Sequence, residues 1–117
     1  ASDTMRESSI LLERWRANLA AYGEPDHEPI PSQHGSSDMG NVSLVVPAIH
    51  PSLAICDEGV PGHSIDFRDA AGTPRAGETT LLAATLVAQT AYDLFADPAL
   101  VAAAWREFRG ETGTTAP

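Results

Sequence analysis

One cysteine, Cys56, is all that the 117 residues hold, so neither an internal disulfide nor a Cys-x-x-Cys zinc or redox motif can form, and a reducing cytoplasm is the expected setting. Basic residues are also scarce. Seven Lys and Arg stand against sixteen Asp and Glu, and the resulting net charge of −9 would repel a phosphate backbone or an anionic membrane surface. Nucleic acid and membrane are therefore excluded as expected partners. No apolar run approaches the length of a membrane span, and the start, Ala1-Ser2-Asp3-Thr4, has no basic segment, no apolar signal core and no initiator Met. The missing Met suggests a chain cut from something larger.

What is present is the composition of an ordinary globular protein, 43% apolar and 20% charged, enough for at most one small domain with a modest core. Over residues 5–22 the apolar Met5, Leu12, Trp15, Leu19 and Tyr22 recur at helical spacings between charged residues. This predicts an amphipathic helix capped by Asp3 or Thr4 and closed at Gly23. Residues 23–37, with three prolines, two glycines and three serines, predict a long loop. A short helix over 37–46, ended by Pro47, is favoured over a strand, although its β-branched end permits either. The apolar run 48–56 suits a buried strand restricted by Pro51. After a loop over 57–64, a short helix over 64–71 is closed by Gly72. Thr73-Pro74 then opens a long helix to about Ala96, and Asp97-Pro98 an N-cap and first-turn proline for a last helix ending near Gly110. The tail 111–117 is expected to fray.

The long helix decides what kind of object this is. Leu81, Leu82, Ala83, Ala84, Leu86, Val87, Ala88 and Ala91 leave almost no polar face, so the helix should be buried nearly all round. The other elements cannot cover it, which asks for more sheet and helix from elsewhere.

All four histidines, His27, His34, His50 and His63, fall in the proline- and glycine-rich third of the chain. Histidine is the commonest zinc ligand, and loops at strand ends are where open α/β sheets place their sites. His63 is best placed, because Gly59, Pro61 and Gly62 let the backbone turn sharply and present its imidazole. Asp57, Glu58 and Asp66 form no standard ligand spacing with it. Gly35, Ser36, Ser37 and Asp38 offer hydroxyls and backbone N–H groups at a helix start, a geometry suited to a carboxylate. Ser36 lacks the elbow and ordered base of a serine nucleophile. Asp26-His27-Glu28 reads as a solvated polar turn rather than a mixed-ligand metal site, and Trp15 and Trp105 as packing residues.

In order, Gly35-Ser36-Ser37-Asp38-Met39-Gly40-Asn41-Val42-Ser43, Val46-Pro47-Ala48-Ile49-His50-Pro51 and Pro61-Gly62-His63-Ser64, followed by a long alanine-rich helix, resemble one enzyme family. It is the aminoacylase and zinc carboxypeptidase-type metallopeptidases, which include succinyl-diaminopimelate desuccinylase, p-aminobenzoyl-glutamate hydrolase and dipeptidases of β-alanyl-lysine type, the last two looking nearest. The resemblance covers roughly residues 5–109. It implies an α/β fold, a partial three-layer sandwich in which residues 1–110 are the C-terminal, helix-rich part of a zinc peptidase catalytic domain that an inserted domain interrupts. It implies two divalent metal ions, zinc first, with manganese or cobalt as alternatives. His63 would be the last metal ligand, Gly35, Ser36, Ser37 and Asp38 would contact substrate, and this segment would supply no catalytic residue. The other ligands and the general-base glutamate would lie in the N-terminal portion of the same domain, which becomes the expected partner. The complete parent, a homo-oligomer, would hydrolyse the amide bond of an N-acyl amino acid, a dipeptide or an aminobenzoyl-glutamate-like substrate, and the 117 residues alone would be inactive. The alternative from a different class is a non-catalytic binding or complementing subunit that docks through its apolar helix and strand edge.

Overall fold

A computed structural model describes residues 5–27 and 37–111, which form five helices in the order α1 (Ser9–Ala21), α2 (Met39–Val42), α3 (Ile65–Ala71), α4 (Pro74–Ala96) and α5 (Pro98–Phe108). α1 starts later than its periodicity predicts. Residues ahead of it are tied down as extended chain: the Arg6 N–H donates to Ser43 Oγ at 2.9 Å, Glu7 forms a parallel bridge with Ala48, and the Ser8 N–H donates to the Ala48 carbonyl at 2.9 Å. Ser8 therefore becomes the N-cap, its hydroxyl accepting from the Leu11 N–H. The expected caps Asp3 and Thr4 lie outside the described residues. The far end is as predicted: Gly23 takes a φ of +75°, and the Gly23 and Glu24 N–H groups reach back to the Ala20 and Leu19 carbonyls. That is the pair of bonds of a Schellman cap, which a left-handed glycine makes inexpensive.

The remaining helices follow local chemistry. Ser64 accepts from the Phe67 N–H, Thr73 from the Ala76 N–H, and Asp97 from the Ala99 and Leu100 N–H groups, while Pro74 and Pro98 occupy first-turn positions where no N–H is needed. α5 ends in a second Schellman cap, with Gly110 at φ +72° and the Glu111 N–H on the Arg106 carbonyl at 2.8 Å. α2 is one turn where a longer helix was expected; tight turns carry the chain on to Val45, with the Ser43 hydroxyl buried and donating to the Gly40 carbonyl. Residues 49–55 are not a laddered strand, yet alternate between half-buried and exposed side chains, the two-residue period of one. Pro47 and Pro51 bring no N–H to pairing. A three-layer sandwich needs a multi-stranded sheet, and among the described residues strand character is confined to this segment and the Glu7–Ala48 bridge.

α1 packs against both α4 and α5 around Trp15, Leu19 and Leu86, with Leu12, Ile49, Leu53 and Leu82 closing the cluster. Beside it Asn18 stitches the helices together: its amide donates to Thr90 Oγ1 at 3.1 Å and to Asp93 at 2.9 Å and accepts from Arg14 at 3.1 Å. Two faces contribute unequally to α4. Its inner face meets α1, but its outer face carries Leu81, Val87, Tyr92 and Phe95, all more than half exposed, so among the described residues the helix is covered on one side. The radius of gyration is 16.3 Å, against roughly 13 Å for a self-contained domain of this length.

Candidate functional site: the His63 turn and the start of α2

The turn that carries His63 is fastened at both ends. On its entry side Arg75 of α4 pairs with Asp57 at 2.8 Å and donates to the Cys56 carbonyl at 3.2 Å, while Thr79 reaches the Ala54 carbonyl at 3.5 Å. On its exit side the Ser64 hydroxyl donates to the Pro61 carbonyl at 2.7 Å and accepts from the Phe67 N–H at 3.0 Å, so one side chain both closes the turn and caps α3. Between them the chain reverses at Gly59, φ +92°, and again at His63 itself, φ +59°. His63 is the one non-glycine residue with positive φ among the described residues. A left-handed backbone costs an L-residue on the order of 1 kcal/mol or more, and such residues concentrate at functional sites. The imidazole is exposed and makes no hydrogen bond within the described residues.

What this turn can offer is a single nitrogen donor on a braced loop. No three His, Cys, Asp or Glu side chains converge to hold a metal among the described residues. A structural or catalytic zinc needs three or four protein ligands, so these residues alone do not build a metal site. The neighbouring carboxylates do not change this, since Asp57 is engaged by Arg75 and Asp66 sits in the first turn of α3, where its charge favours the helix dipole.

The substrate loop expected over Gly35, Ser36, Ser37 and Asp38 is described only at its end, with Gly35 and Ser36 outside the described residues. The Ser37 hydroxyl accepts from the Met39 N–H at 3.2 Å, and exposed Asp38 is the residue before α2. Among the described residues α2 packs against no other helix, and no hydrogen bond or ion pair joins Ser37 or Asp38 to His63. Of the other histidines, His27 and His50 are exposed and well separated along the chain, and His34 lies outside the described residues. Asp26 pairs with Arg16 at 2.6 Å, and Glu28 lies outside the described residues.

Elsewhere the polar clusters serve packing. The Glu107 carboxylate on α5 receives Ser8 Oγ at 2.7 Å, the Ser9 N–H at 2.9 Å, the Ser9 hydroxyl and, more weakly, the Ile10 N–H. Partial burial pushes its pKa up, but the hydrogen bonds from Ser9 and Ser8 outweigh that, and the pKa falls below the usual glutamate range. Asp93 is lowered chiefly by its hydrogen bond from Asn18, with Gln89 and Arg14 adding to it against some desolvation. Neither cluster had a local sequence signature, because the contacts that join one helix to another link residues far apart in the chain. An open groove of about 180 Å³ between α1, α4 and α5 is lined by Leu11, Val46, Pro47, Leu94, Val101, Ala104 and Trp105, and carries no titratable side chain. No described helix is long and apolar enough to cross a membrane.

Over 75 residues the chain is 41% identical to the Xaa-Arg dipeptidase of Mus musculus and, over 75 residues, 39% identical to that of Homo sapiens. Each match covers 64% of this chain and 17% of the relative, so the chain matches less than a fifth of the length of these dipeptidases. No family model matches, and no solved structure matches. The relationship is thus to peptidases of dipeptidase type, over a partial stretch.

Proposed function

We propose that these residues are the C-terminal part of the catalytic domain of a metal-dependent amidohydrolase that cleaves the peptide bond of dipeptides. The observation that carries this is the similarity to dipeptidases over 75 residues. The braced, left-handed His63 turn supports it. Of the three substrate kinds that the family resemblance implies, the relatives' name favours the dipeptide over an N-acyl amino acid or an aminobenzoyl-glutamate. A net charge of −9 also suits a substrate with a cationic side chain such as arginine, which an acidic surface draws in.

In this reading His63 contributes one ligand to a two-metal, zinc-type centre, and its turn exists to hold the imidazole at a fixed angle. No other ligand converges with it among the described residues, so no step of hydrolysis is assembled there. Ser37 and Asp38, with Gly35 and Ser36, bind the free carboxylate of the dipeptide through backbone N–H groups and hydroxyls. Segment 49–55 is a strand of an α/β three-layer domain whose sheet the preceding N-terminal portion completes.

Hydrolysis by the longer polypeptide that this reading requires tests it, with dipeptides ending in arginine compared against dipeptides ending in glutamate and against N-acetyl-arginine. Cleavage of the arginine dipeptides by the longer polypeptide, and none by the 117 residues, is expected. No cleavage of any of them with zinc, manganese and cobalt each supplied, or cleavage by the 117 residues alone, would defeat the proposal.

A further inference from the structure

α4 is apolar on both sides, and among the described residues only one of them is occupied. From Thr79 to Ala96 the helix has a single charged residue, Asp93, and that one turns inward to Arg14 at 3.0 Å and to Asn18. On the outer side Leu81, Ala84, Ala88, Tyr92 and Phe95 follow one another at steps of three and four residues, so they share one face of the helix. All five are exposed, Phe95 at 89% and Leu81 at 71%. The stripe runs for about 21 Å along the axis at 1.5 Å per residue. Single exposed apolar side chains are ordinary, but a continuous uncharged stripe of this length is a contact surface.

We infer that this outer face of α4 is the seat of the remainder of the same polypeptide, making α4 an interior helix of the complete domain. The inference rests on the reading above, in which the chain is part of a longer dipeptidase. Length argues for that occupant, since the match takes up 17% of the relatives and leaves more than four fifths of such a protein to be placed. Charge argues against a second copy, which would bring another −9 alongside the first. The radius of gyration agrees, being larger than that of a self-contained domain of this length.

Thiol accessibility tests it directly. Ala88→Cys in a Cys56→Ser background places one thiol at the centre of the stripe, and its maleimide labelling is followed in the 117-residue chain and in the longer polypeptide. Labelling in the longer polypeptide is expected to be at least ~10-fold slower than in the same protein unfolded in urea, the protection of a buried segment, and to stay so on dilution. Labelling there as fast as in urea would overturn the inference. Protection that disappears on dilution would overturn it in favour of a second copy. Because the readout is labelling, protection without dipeptide hydrolysis would remove the functional reading and leave the docking face standing, and hydrolysis without protection would do the reverse.

Discussion

Replacing Glu107 by glutamine probes a long-range device in the fold, a carboxylate on the last helix that caps the first. Glu107 receives two hydroxyls and two backbone N–H groups from Ser8, Ser9 and Ile10, satisfying donors that the first turn of α1 cannot use itself. Glutamine keeps one acceptor oxygen, loses the charge that the helix N-terminus favours, and turns an amide NH₂ toward donors. A carboxylate at a helix N-terminus contributes ~0.3–1 kcal/mol when exposed and up to ~2 when partly buried. Glu107 is half-buried, so E107Q should cost about 1.5 kcal/mol, a fall in Tm of roughly 6 °C for a chain of this size. The sign of the pH dependence follows from the lowered pKa. The contribution is complete above the unfolded-state value, ~4.3 for glutamate, and is lost as pH falls through the lower folded-state value. Thermal unfolding followed by far-UV circular dichroism should therefore separate wild type and E107Q at pH 7 and narrow the gap as the pH is lowered into the acid range. Equal melting at pH 7, or a gap just as wide in acid, would refute the capping argument.

Asn18→Ala removes the group that pairs buried Thr90 with Asp93, and should cost about 2 kcal/mol in a urea melt, because partners left unsatisfied inside a fold are expensive. Asn18→Ala combined with Thr90→Ala should cost less than the sum of the two single changes; strict additivity would show that the hydrogen bond contributes nothing. At His63 the backbone predicts an order that function does not: glycine accepts φ +59° freely and alanine does not, so H63G should be more stable than H63A by about 1 kcal/mol. Equal chemical-denaturation midpoints would mean that the left-handed turn is not held as described.

The parts legible in the sequence were those settled within a few residues. Ser64, Thr73-Pro74 and Asp97-Pro98 announce α3, α4 and α5 because each cap bonds to an N–H two or three positions on, and Gly23 and Gly110 mark the ends for a similarly local reason. The start of α1 was not legible, since Ser43, Ala48 and Glu107 fix it from 37 or more residues away. The run over 37–46 reads as a helix, but its end at Val42, Val45 and Val46 favours tight turns over continuation. For the site, Gly59, Pro61 and Gly62 pointed to a sharp turn at His63. They did not show that the left-handed conformation falls on the histidine rather than on Gly62. The one-sided cover of α4 was foreshadowed by its unbroken apolar run.

The central claim is that His63 is a metal ligand in a hydrolase larger than this chain. Metal content after exhaustive dialysis of the longer polypeptide, wild type beside H63A, reads it most directly, with circular dichroism confirming that both are folded. The account predicts two tightly held divalent ions in the wild type and the loss of one in H63A, together with most of the dipeptide hydrolysis. An H63A protein that is folded and keeps both its metal content and its turnover would contradict it.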